Sequence, residues 1–150
     1  MSQSLSQIYL HIIFATKERI PFIKENIESE LFSFIGGTIK NLNGFPHLIN
    51  GTSDHIHILA SSSKSVSLTD FLKKIKHDSS LWIKNKGGDY SDFAWQRGYG
   101  VFSVSSSRLQ VVKKYIANQK EHHKEETVEE EFAKFFKEYR LNYNSQFFWK

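Results

Sequence analysis

Two histidines one residue apart, in Asp54-His55-Ile56-His57, and a tyrosine followed four residues later by a glutamine, Tyr115 and Gln119, are the side chains best placed for chemistry. Alternate residues of a strand share a face, so His55 and His57 project together while Ile56 points into the core. Two imidazoles about 6–7 Å apart along a strand can share one metal ion. The same triplet also fits plain surface alternation. On a helix, Tyr115 and Gln119 lie on one face; by themselves they read as an amphipathic core residue and a solvent-facing amide. Cysteine is absent, which excludes disulfides, thiolate metal sites and cysteine nucleophiles.

These groups need a scaffold, and the chain is long enough to supply one. Its 150 residues suit a single domain, 1–150, with about 127–150 as a C-terminal extension. The aromatic content of 15%, including 13 Phe and 3 Trp, requires a packed core and argues against disorder. No stretch approaches the roughly 20 apolar residues of a membrane helix. The start of the chain lacks the basic and small-residue features of a signal peptide, so a cytoplasmic location is expected.

The pattern predicts a buried central strand over Leu5–Ala15 and a helix from Lys24 to Asn41. Two short strands, Phe45–Ile49 and His55–Ala60, flank Asn50-Gly51, a hairpin signal. Ser67 caps a helix running to about Asn85. A strand from Phe93 to Ser105 follows, bent at Gly98 and Gly100, and then a helix from Ser107 to about His123. Thr127 opens the last helix, to about Tyr139, and the aromatic tail from Leu141 is expected to dock. The order β-α-β-β-α-β is the ferredoxin-like α+β arrangement, an antiparallel sheet with helices on one face, plus C-terminal helices.

Charge is unevenly spread. Residues 1–63 carry a net −1, residues 64–124 a net +7 and residues 125–150 a net −2, together the +4 of the whole chain. A basic middle suits a polyanion such as nucleic acid, and it equally suits a solvated lysine-rich face. The acidic run Glu125–Glu131 reads as a solvated helix start, and His122-His123 as complements to a helix dipole. Trp82 and Trp95 either stack on bases or pack, with packing favoured.

Taken together, the segments resemble a known family. Asn50-Gly51-Thr52-Ser53-Asp54-His55-Ile56-His57 before a capped basic helix, Trp95-Gln96-Arg97-Gly98-Tyr99, and Tyr115 with Gln119 are similar to the HUH-superfamily single-tyrosine transposases. These serve small insertion sequences and include REP-associated relatives. His11 through Arg19 also matches the family's first strand and its basic exit.

The resemblance implies a DNA strand transferase. His55, His57 and Gln119 would hold a divalent metal, Mg²⁺ or Mn²⁺, and Tyr115 would be the nucleophile that forms a 5′-phosphotyrosine. Single-stranded DNA with hairpins would be the substrate, with no small-molecule substrate and no membrane partner. Lys17, Arg19, Lys73, Lys74, Lys76 and Arg97 would contact it, and His11, Asp54 and Asn118 would support the site. The family forms homodimers in which the tyrosine can serve the partner's metal site. Two other classes compete: a domesticated hairpin-binding regulator that does not cut, and a metal hydrolase in which Tyr115 is incidental.

Overall fold

The apolar run near the start of the chain becomes the central strand because it is paired on both sides. A computed structural model describes residues 2–150. In it β1 (Tyr9–Ala15) lies antiparallel between β3 (His55–Ser61) and β4 (Gly100–Val104), and β2 (Phe45–Gly51) pairs with the far side of β3. The sheet order is β2-β3-β1-β4. Helices α1 (Glu25–Asn41) and α2 (Leu68–Lys84) complete the ferredoxin-like unit. The chain continues through α3 (Leu109–Ala117), α4 (Gln119–His122), α5 (Val128–Glu138) and α6 (Ser145–Phe148). None of the helices among the described residues is long and apolar enough to cross a membrane.

The pleat sorts side chains between two layers. Ile12, Phe14, Ile56 and Ile58 face α1 and α2 and meet Leu31, Ile35, Phe71 and Ile75 in the main core. Their neighbours face the other way: Ile13 and Phe102 pack against Val128, Phe132 and Phe136 of α5. His11, His55 and His57 share this second face and are buried beneath the C-terminal helices. Caps fall where the sequence puts them. The Ser67 hydroxyl accepts from the Asp70 amide and the Thr127 hydroxyl from the Glu130 amide.

Several boundaries differ from the sequence pattern. Residues 5–8 do not extend β1: β3 ends at Ser61, opposite Tyr9, and beyond it only the Ile8 carbonyl still accepts from the Ser62 amide, at 3.3 Å. Asn50-Gly51 lies within β2, and Thr52–Asp54 makes the turn. A Cβ at Gly51 would collide with the His55 carbonyl, so only glycine lets the two strands approach this closely. Of the strand expected over Phe93–Ser105, only Gly100–Val104 forms, with one isolated bridge from Trp95 to Thr16. The cause is Lys76. Its ammonium donates to the carbonyls of Gln96, Arg97 and Gly98 at 2.6, 3.0 and 2.9 Å, which turns them away from a ladder. The aromatic tail docks as expected, with Phe148 and Trp149 against Phe132.

Candidate metal centre and nucleophile

His55 and His57 stand side by side on β3, both fully buried, their ring centroids 5.2 Å apart. Each presents Nε2 to a common centre and has Nδ1 held from behind. Nδ1 of His55 bonds to the Asp54 carboxylate and the Thr52 hydroxyl, both at 2.8 Å. Nδ1 of His57 lies 2.8 Å from Nε2 of His11. Such partners fix the tautomer and leave Nε2 free to ligate. His11 and Asp54 therefore do touch the histidine pair. Asn118 does not: it is exposed at the junction of α3 and α4, and its side chain caps neither helix.

Glu131 sits at the common centre, and the sequence reading missed it. It lies on α5, is 1% exposed, and places Oε1 3.0 Å from His57 Nε2, 3.4 Å from His55 Nε2 and 3.1 Å from His123 Nε2. The readings of Glu131 as part of a solvated helix start and of His123 as a dipole complement are thereby corrected. Within the acidic run Val128, Glu131 and Phe132 are buried while Glu129 and Glu130 are exposed, so Glu131 belongs to the apolar face of α5. That i, i+3, i+4 periodicity was a readable signal.

The helix carrying the tyrosine also departs from expectation. It is not continuous to His123 but breaks at Asn118. Asn50 causes the break: its amide donates to the carbonyls of Ile116 and Ala117 at 2.9 and 3.3 Å, occupying the acceptors a continuing helix would use. Lys120 adds a second tie by bonding Glu28 at 2.5 Å and the Asn50 side-chain oxygen at 3.3 Å. Tyr115 and Gln119 nevertheless converge. The phenol donates to Glu131 Oε2, and the Gln119 amide donates to the same oxygen at 3.2 Å. Gln119 Oε1 lies 3.2 Å from His55 Nε2. The Tyr115 ring is 5.8 Å from that of His57 in the same chain.

The electrostatics follow from burial around one carboxylate. Burial opposes charge on His55, but hydrogen bonds to Asp54 and Glu131 outweigh it and lift its pKa to about 9. Burial dominates at His57, against the pull of Glu131, and takes it down to about 4. Burial also opposes charge on Glu131, yet hydrogen bonds from His123, His55 and His57 hold its carboxyl far below the usual range. Burial and the Glu131 charge push the Tyr115 phenol well above its ordinary value.

The basic residues are distributed around this site rather than gathered at it. Lys73 and Lys74 are exposed on α2, on the opposite face of the sheet, with Lys74 3.3 Å from Asp78. Arg19 pairs with Glu129 at 2.7 Å and lies over the Trp149 ring. Lys17 and Arg97 are exposed. Lys76, expected among the DNA contacts, donates instead to three backbone carbonyls in this structure. Trp95 is buried, donating to the Ser79 hydroxyl at 2.9 Å, and Trp82 stacks on Phe34.

The model of the family described as "Transposase IS200 like" matches residues 4–119, more than three quarters of the chain. The chain belongs to the IS200-like transposase family. It is an HUH-type single-tyrosine transposase and a DNA-processing enzyme. Two solved structures share the fold. A protein from Deinococcus radiodurans R1, described as a transposase, has 20% identity and a TM-score of 0.62, over 79% of this chain and 98% of its own. A REP-associated tyrosine transposase bound to a REP hairpin has 12% identity and a TM-score of 0.60, over 82% of this chain and 74% of its own. No curated protein matches the chain. Glu131 and His123 lie beyond the segment that the family model matches.

Proposed function

We propose that this transposase cleaves and rejoins single-stranded DNA at hairpin-bearing element ends, with Tyr115 as nucleophile and a divalent metal at His55 and His57. The observation that carries this reading is convergence. His55, His57, His123 and Glu131 each offer a ligand atom, all within 4.8 Å of one another, and Tyr115 bonds the same carboxylate. The donor chemistry fits a cation, because imidazoles clustered around one buried carboxylate, two of them held from behind, are a ligating arrangement. Gln119, the third ligand implied by family resemblance, faces His55 and Glu131 from the adjoining helix. A set this rich in imidazole favours Mn²⁺ over Mg²⁺, which prefers oxygen donors and retains its waters.

A divalent cation bound here would polarise a non-bridging oxygen of the scissile phosphate. His55 and His57 hold the centre, and Asp54 and His11 fix their orientation. Glu131 Oε2 holds the phenolic hydrogen of Tyr115 and so aims the oxygen at the histidine side. Attack by the phenolic oxygen, its proton passing to Glu131 Oε2, forms the tyrosine–phosphate bond as the P–O3′ bond breaks and O3′ takes up a proton to leave as a 3′-OH. The ester retains the energy of the phosphodiester, so a 3′-OH can reverse the step without ATP. The adjacency of Tyr115 and His57 within one chain supports action in cis. The homodimer implied by family resemblance would then join two sites that are each complete.

DNA is proposed as the partner through Lys17, Arg19, Lys73, Lys74 and Arg97, and the hairpin-bound neighbour supports hairpins as its form. Trapping the adduct tests the whole reading. Labelled single-stranded DNA carrying a hairpin end, incubated with protein and Mn²⁺, is run on a denaturing gel. A covalent species supports the transferase. Hairpin binding without any adduct would instead identify a regulator.

A further inference from the structure

Between α3 and α5 a cavity of about 570 Å³ opens at the surface and reaches Tyr115. Its volume falls in the roughly 300–1,000 Å³ range of small-molecule sites. Phe135 and Tyr139 form an aromatic side, both stacked on Phe102 with ring centroids 5.4 and 4.6 Å away. Arg108 brings positive charge to the lining. Glu126 lines the same cavity with a side chain only 13% exposed, paired with a Lys134 whose side chain is 76% exposed. Apart from the nucleophile's own contacts, the proposed reaction uses none of these groups.

We propose that this cavity receives one unpaired nucleobase adjoining the scissile phosphate, and that Glu126 selects bases with an amino group on the Watson–Crick edge. This assignment rests on Tyr115 being the nucleophile. A strand attacked by that phenol must place the nucleotides flanking the phosphate beside it, and the cavity has Tyr115 in its wall. Bases removed from a stack are held between aromatic side chains and read by hydrogen bonds to their edges. A carboxylate only accepts, so it matches the amino groups of cytosine, adenine and guanine. Thymine offers a single N3–H set between two carbonyl oxygens that the carboxylate repels. Lys134, on a flexible and exposed stem, is free to release Glu126 and pair with the strand's phosphate.

The walls contributed by residues 126–139 lie beyond the segment matched by the family model. Base selection at this position therefore rests on Glu126, just before α5, and on side chains at the far end of α5, outside the matched segment.

Full-length protein is titrated separately with dCMP, dAMP, dGMP and TMP, with binding followed by ligand-observed NMR. The same titrations are made on Glu126→Gln and Tyr139→Ala, whose folding is checked by melting. If Tyr139→Ala melts early, Tyr139→Leu replaces it, since that change keeps bulk and removes the ring. The three amino-bearing nucleotides should bind about tenfold more tightly than TMP, and Glu126→Gln should abolish that difference. Loss of the Tyr139 ring should weaken all four by about tenfold. Equal affinities in the wild type overturn selection by Glu126. Affinities indifferent to both substitutions overturn the cavity as the site. Failure of the wild type to form any covalent adduct with hairpin DNA refutes the Tyr115 reading separately, because nucleotide binding is measured without chemistry.

Discussion

Tyr115 and Glu131 stand 16 residues apart on different helices, yet the phenol of one donates a hydrogen bond to the buried carboxylate of the other. The same carboxylate faces three imidazoles through its second oxygen. One side chain from the C-terminal helix therefore links the candidate nucleophile to the candidate metal site. A buried carboxylate is costly unless its lone pairs are matched, and here His57, Gln119 and His123 bond it besides the tyrosine, with His55 Nε2 3.4 Å away. Gln119 is one of these by its amide, while its oxygen turns to His55.

Glu131→Gln keeps the shape of the side chain and removes its charge. Mn²⁺ affinity, measured by titration calorimetry, should fall at least about tenfold, the scale seen when groups that orient or complete a metal site are lost. Glu131→Ala goes further and leaves imidazoles facing a void. Breaking a buried charged pair costs roughly 3–5 kcal/mol, which urea unfolding would register. Unchanged Mn²⁺ affinity in Glu131→Gln would remove the carboxylate from the metal site.

Binding and cleavage should separate. On the proposed reading the basic residues outside the site would contact phosphates, whereas His55 and His57 would act at one phosphate. His57→Ala, or excess EDTA with the unmodified protein, should therefore abolish strand cleavage while a gel shift with hairpin DNA persists. Full cleavage in EDTA would sink the metal role.

Asn50 is predicted to position Tyr115 rather than to stabilise the fold at large. Its amide holds the last two carbonyls of α3, so Asn50→Ala removes two hydrogen bonds worth about 1 kcal/mol each in stability. The expected result is a modest drop in melting temperature with Mn²⁺ affinity preserved, and single-turnover adduct formation slowed about tenfold, a barrier rise of about 1.4 kcal/mol. A loss of Mn²⁺ affinity in parallel with activity would mark the residue as generally structural.

Much of the fold was legible because its signals are local. The strands at His55–Ser61 and Tyr9–Ala15 are apolar and β-branched, and Ser67 and Thr127 cap the helices that follow them. His55 and His57 were legible by alternation, since Ile56 between them had to be core. Glu131 was hidden by its neighbours: in a run of acidic residues one carboxylate looks like another, and only the period of α5 turns it inward. The truncation of the strand near Trp95 depends on Lys76, 20 residues away, and no local pattern shows which lysine will bond backbone carbonyls. The break before Gln119 likewise depends on Asn50, whose pairing with Gly51 reads locally as a turn.

Lys73 and Lys74 sit across the sheet from Tyr115, so DNA that touches both surfaces must pass around an edge. If the duplex stem of the hairpin uses them, replacing both with alanine should flatten the log K against log salt slope by about 1.8 units, at roughly 0.9 per phosphate contact on duplex DNA. Fluorescence anisotropy across a salt series gives the slope directly. An unaltered slope would place the DNA on the α3 and α4 side alone, where Lys113, Lys114 and Lys120 supply charge.

Tyr115→Phe removes one oxygen and keeps the ring, which packs against His57, His122 and Phe135. The loss frees Glu131 Oε2 from the phenol but leaves it the Gln119 amide, so the carboxylate remains bonded and folding should survive. Mn²⁺ affinity should be nearly unchanged, because the phenol is not among the clustered ligand atoms. Two other tyrosine hydroxyls are bonded elsewhere: Tyr139 to the Ser103 carbonyl and Tyr90 to the Asn26 side chain. Ser105 and Ser107 bond one another. With labelled hairpin DNA on a denaturing gel, Tyr115→Phe should therefore give no covalent adduct and no strand transfer while binding the hairpin as the wild type does. An adduct that persists in this variant would assign the nucleophile to another side chain.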